Sequence, residues 1–75
     1  MIIMEKRNIL GHKIKKIRKQ KRITQEQLTA RLNVQGIEID RPMITKIENH
    51  TRYLLDYEIK AIVKALNIDY NELFE

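Results

Sequence analysis

The segment Arg41-Pro42-Met43-Ile44-Thr45-Lys46 carries the side chains whose chemistry is easiest to specify. Arg41 offers a planar fork of donors that can meet two acceptors at once, and Lys46 offers a point charge on a flexible stem. Thr45 adds a short hydroxyl with a methyl, and Pro42 adds apolar surface without a donor. On a helix, positions 41, 42, 45 and 46 face outward together while Ile44 and Ile47 face the opposite way. Met43, between Pro42 and Ile44, is read as boundary packing. This is equipment for binding an acceptor-rich surface. Equipment for breaking bonds is missing: His12 and His50 have no nucleophile or carboxylate partner at useful spacing, and no glycine-rich phosphate loop or metal-ligand cluster occurs. The chain has no cysteine, which removes disulfides, a thiolate nucleophile and cysteine-based zinc sites. No enzyme activity, metal or cofactor is therefore expected, and both histidines are read as surface residues.

Charge points the same way. Fifteen Lys and Arg against 10 Asp and Glu leave a net charge of +5, which favours an anionic partner such as nucleic acid, although solubility alone would account for it equally well. Every charged residue from Lys13 to Arg22 is basic. That run can touch phosphates, but a solvated helix face is the favoured reading.

These side chains must be positioned by helices. Leu10, Ile14 and Ile17 recur as one apolar stripe and predict a first helix from about Ile9 to Lys21. Thr24 with Gln27 makes a capping box that opens a second helix, whose buried side is Leu28 and Leu32. Asn33 is the expected stop, adopting the left-handed conformation, and Gly36 the expected bend. Asp40 is expected to cap a third helix with Pro42 in its first turn, a reading favoured over contact between Asp40 and a cytosine. Asp56 is expected to cap a fourth helix carrying Ile59, Ile62, Val63 and Leu66, and Asp69 with Glu72 to open a last turn. Residues 1–8 read as an N-terminal arm and residues 9–75 as one domain around one core. The apolar start Met1-Ile2-Ile3-Met4 is too short for a signal peptide or a membrane span, so a cytoplasmic protein with no membrane association is expected.

The segments LGHKIKKIRKQKRITQEQLTARLNV, DRPMITKIENHTRY and DYEIKAIVKALNIDYNELF together resemble the helix-turn-helix proteins of the phage-repressor type (Cro/C1-type, XRE family), from Leu10 to Phe74. The resemblance implies an all-α fold of five helices that binds double-stranded DNA and regulates transcription, with the third helix in the major groove. It implies that Arg41, Pro42, Thr45 and Lys46 contact bases. Guanine is expected opposite Arg41 and Lys46, and thymine methyls opposite Pro42 and Thr45. Gln25, Asn49 and Arg52 are implied as contacts to the DNA backbone, with Gln25 also bracing the third helix. Arg18 and Glu48 are implied as a partly buried ion pair.

The chain departs from the family pattern in four ways, one of them being Pro42, which stands where relatives usually carry a polar residue. Arg22, Asn33 and His50 stand where relatives carry glycine, and Thr29 stands where they carry alanine. The connection from Leu32 to Asp40 is longer than the usual tight turn, with Ile37 and Ile39 expected under the third helix. A homodimer on an inverted repeat is expected, since one domain of this size covers one half-site. The alternative is a protein-binding module such as an antitoxin or adaptor, presenting residues 1–4 with Tyr53, Leu54, Leu55, Tyr70 and Phe74. Binding to structured RNA ranks last, because the few aromatic residues form no stacking platform.

Overall fold

The first helix does not start where its apolar stripe starts, because Asn8 intervenes. In the computed structural model, which describes residues 6–75, Asn8 Oδ1 accepts from the backbone N–H of Leu10 at 3.0 Å and of Gly11 at 2.6 Å. These donors would otherwise be orphaned in the first turn. The helix α1 accordingly spans Gly11–Gln20, two residues later than the periodicity predicts, and Ile9 is left 78% exposed. Residues 1–4, named above as an apolar surface, lie outside the described residues.

The remaining helices are α2 (Gln25–Val34), α3 (Arg41–Glu48), α4 (Asp56–Leu66) and α5 (Tyr70–Phe74). The chain is thus all-helical with five helices, and no strand occurs among the described residues. The α2 capping box is complete: Gln27 N–H donates to Thr24 Oγ1 at 3.0 Å and Thr24 N–H donates to Gln27 Oε1 at 2.8 Å. Asp40 Oδ1 accepts from Met43 N–H at 2.9 Å, and Pro42 sits in the first turn of α3, where its missing N–H costs nothing.

Two expected helix ends are corrected. Asn33 is helical, and α2 runs on through Val34. Gly36 takes the left-handed conformation at φ +86°, the choice that costs no Cβ strain. The Asn33 amide instead donates to the carbonyls of Ile37 at 2.9 Å and Ile39 at 3.0 Å, folding the long connection back on itself. Ile39 is thereby buried at 8% exposure, with Ile37 half-buried beside it. The cap of α4 is Leu55, with Asp56 already helical; the capping carboxylate is that of Glu58, which accepts from Leu55 N–H at 3.0 Å. At the other glycine replacements, Arg22 and His50 do stand at φ 58° and 64°, and Asn67 joins them at 55°.

Helix α2 packs on α3 and α4, and α1 packs on α3. The core is built from Ile14 of α1, Leu28 and Leu32 of α2, Ile44 and Ile47 of α3, Ile62 and Leu66 of α4, and Leu73 of α5, all fully buried. Thr29 is half-buried, and its hydroxyl donates to the Gln25 carbonyl at 2.7 Å, so the extra oxygen is satisfied within α2. The tightest approach is between α1 and the end of α3. A Cβ on Gly11 would overlap the Ile47 carbonyl oxygen and crowd that of Glu48 at 3.0 Å.

An alanine at an ordinary helical glycine stabilises by up to about 1 kcal/mol. At position 11 the sign should reverse, since backbone would have to move. Gly11→Ala is expected to destabilise by about 1–3 kcal/mol, read as a lower urea midpoint at unchanged m-value. A midpoint at or above that of the parent would refute the close-approach argument.

Candidate nucleic-acid interface

Helix α3 divides its side chains sharply. Arg41, Pro42, Thr45 and Lys46 are exposed, Met43 is half-buried against the core, and Ile44, Ile47 and Glu48 are buried. Its 8 residues span about 12 Å of axis, comparable to the width of a DNA major groove. The exposed face carries a shallow depression at each end. One, at the start of α2, is lined by Arg18, Thr24, Gln25, Glu26 and Arg41. The other includes Met43, Lys46, Thr51 and Tyr53.

The exposed residues are oriented from below. Arg18 Nε donates to Glu48 Oε2 at 2.7 Å, Arg18 Nη2 to Glu48 Oε1 at 3.1 Å, and Arg18 Nη1 to the Ile23 carbonyl at 2.8 Å. The two side chains are 9% and 2% exposed, so this pair joins α1 to α3 away from water. Gln25 Nε2 adds a third donor to the carboxylate, to Oε1 at 3.1 Å.

Because a carboxylate only accepts, the Gln25 amide has one sensible orientation. Its Oε1 is then turned toward two donors on α3, Arg41 Nε at 3.3 Å and Thr45 Oγ1 at 3.4 Å. Gln25 therefore links the buried pair to two of the outward side chains. Arg41 Nη1 also lies 3.5 Å from Glu26 Oε1, an exposed contact of little energetic weight.

The loop after α3 behaves less simply. Asn49 is exposed at the C-cap of α3. Arg52, expected on the DNA backbone, is turned onto the fold: it donates to Glu58 Oε1 at 3.1 Å and Oε2 at 3.0 Å, and to the Tyr53 carbonyl at 3.2 Å. Burial alone would raise the Glu58 carboxyl, but the hydrogen bonds from Arg52 and the Leu55 N–H, together with the Arg52 charge, outweigh it and hold the group below its ordinary value.

Sequence reasoning also missed Asn8, placed there in the arm. Besides capping α1 it donates to the carbonyls of Ile47 at 3.0 Å and Arg52 at 2.8 Å. An Asn two residues before the first core leucine was the available signal. His50, expected at the surface, is half-buried, with Nδ1 2.9 Å from the Asn8 carbonyl. No cluster of three or more potential metal-ligating His, Asp or Glu side chains occurs among the described residues, and no helix there is long and apolar enough to cross a membrane.

Comparison with known proteins places this geometry. A helix-turn-helix family model matches residues 14–73. Among solved structures, the chain is similar to a single-substitution mutant of the restriction-modification controller protein C.Esp1396I, at 35% identity and a TM-score of 0.72, covering 95% of this chain and 86% of that one. No curated protein matches the chain significantly. The match is to a DNA-binding regulatory fold and to no enzyme.

Two measurements test the energetics of the site. Glu48→Ala strands the buried Arg18 charge and should cost about 3–5 kcal/mol in urea unfolding; a loss below about 1 kcal/mol would mean that the pair is not sealed from water. The second concerns acid. A carboxyl held below its unfolded value stabilises fully above that value and loses the contribution as pH falls through the folded one. Glu58 should therefore support the fold above about pH 4.5 and progressively fail below it. Glu58→Gln should flatten that part of the stability–pH curve, and an unchanged acid limb would count against it.

Proposed function

We propose that this chain, which belongs to the helix-turn-helix family of the XRE/Cro-C1 type, is a sequence-specific reader of double-stranded DNA that regulates transcription as a homodimer on an inverted repeat. The observation that carries the reading is the outward face of α3: four exposed side chains on a helix whose other face is locked into the core. Arg41 and Lys46 pair with guanine edges, the first as a fork and the second as a point charge. Thr45 and Pro42 pack on thymine methyls. Gln25 and Asn49 take phosphates and set register, while Arg52, committed to Glu58, shapes the loop that presents Asn49. Likeness to a protein whose name is that of a restriction-modification controller supports a regulatory role.

The two-fold contact is assigned to the apolar cleft between the start of α4 and α5. Tyr57 and Phe74, 56% and 57% exposed, line it with Ile59 and Tyr70. Asp56 and Lys60 stand in the same cleft, so a self-complementary contact can pair opposite charges across the axis. The same cleft is what favours the second reading, a module whose partner is another protein and whose DNA contact is secondary.

Selection of duplexes from a random pool at about physiological salt tests both. The expected result is an enriched inverted repeat with half-sites about 34 Å apart, guanines at the positions facing Arg41 and Lys46, and affinity that falls steeply with salt. A folded protein that enriches no sequence would overturn the DNA-reading function and leave the protein-binding module.

A further inference from the structure

The basic surface beside α3 does not end with α3. Arg7 precedes every helix of the fold, yet its backbone N–H donates to the His50 carbonyl at 2.9 Å. The next residue, Asn8, donates to the carbonyls of Ile47 and Arg52 and accepts at the head of α1. The short segment before α1 is thereby laced to the C-terminal end of α3, and Arg7 is held at a defined place on that side.

Its side chain is exposed, and its guanidinium carbon lies over the Tyr53 ring, 5.5 Å from the centroid. Tyr53 is itself 62% exposed, so the stacking contributes little to a core. Arg7 and Lys46 line the same groove, together with Thr51, Arg52, Tyr53 and Glu58. The carboxylate in that lining is taken up by Arg52, so it does not offset Arg7 or Lys46.

A guanidinium attracted to a ring face at this distance can leave its N–H edges open to another partner. Those edges suit two oxygens of one phosphate, and the attraction to the ring restricts the long side chain before the anion arrives. We propose that Arg7, seated on Tyr53, is a phosphate-binding residue for the same duplex that α3 enters, extending the contact past the end of the recognition helix. This rests on the reading of α3 given above, since Lys46 places the groove at the DNA.

The test uses the full chain, one duplex bearing the enriched site and one unrelated duplex, with affinity measured across salt. Arg7→Ala and Arg7→Gln should each lower the slope of log K against log salt by about 0.9, the value of one phosphate contact. Between about 50 and 200 mM salt the parent should then lose about 3.5-fold more affinity than either variant. Both duplexes should weaken in the same proportion, and Arg7→Lys should retain the parent slope because a cation remains. The variants keep the Arg7 backbone N–H, so their melting temperatures should match the parent. An unchanged slope in the Ala and Gln variants overturns the proposal, and so does a loss confined to the enriched duplex, which would make Arg7 a base reader. If the parent binds selectively and only these slopes fail to move, the function proposed for α3 stands. A parent that binds neither duplex overturns both.

Discussion

A carboxylate buried at the end of a helix is tolerable only if something else claims it. In this protein Glu48 is claimed three times, twice by Arg18 and once by Gln25, and much of the outward face of α3 depends on that arrangement. The pair ties α1 to α3 and fixes the rotation of α3 about its axis, because Glu48 must point inward with Ile44 and Ile47. It also decides which end of the Gln25 amide faces out. A buried ion pair is weak evidence for stability in itself; here its clearer effect is orientation, passed through one amide to Arg41 and Thr45.

The end of α3 that carries Glu48 is held by backbone as well. Gly11 lets α1 come against the last carbonyls of α3, and Asn8 hydrogen-bonds across the same junction. His50, left-handed at φ 64° and bonded to the Asn8 carbonyl, turns the chain away immediately afterward. Helix α3 is thus pinned at its finish both by the Glu48 network and by a close main-chain contact with α1, and at its start by the reach of Gln25 to Arg41. The long α2–α3 connection does not loosen it, since Asn33 folds that connection down and Ile39 anchors it in the core.

Most of the fold was legible because it is written in local signals: the stripe Leu10, Ile14 and Ile17, the Thr24 capping box, Asp40 ahead of Pro42, and the apolar run of α4. The outward and inward faces of α3 followed from period alone. What the sequence concealed is non-local. Asn33 stood in a glycine position of relatives and invited a left-handed assignment, but Gly36 nearby bears no Cβ cost and takes that conformation. Asp56 was a better cap by residue type than Leu55, yet Glu58 caps from inside the helix while also holding Arg52. Asn8 and Gly11 matter through partners roughly forty residues away in sequence, and no spacing rule within one helix reveals such partners. The pairing of Arg52 with Glu58 was hidden for the same reason.

The sharing of Gln25 Oε1 by Arg41 and Thr45 has a consequence for how such a protein changes its target over evolutionary time. Pro42 and Lys46 make no side-chain hydrogen bond to that amide among the described residues, so each can be exchanged without disturbing it. Arg41 and Thr45 both reach that oxygen, and the single Thr45 hydroxyl hydrogen also has the Arg41 carbonyl within reach at 3.3 Å, so replacing Arg41 changes what competes for the amide. Their substitutions should therefore be coupled. On the base-reading role proposed for α3, a change of target that alters both positions should favour one order of substitution over the other.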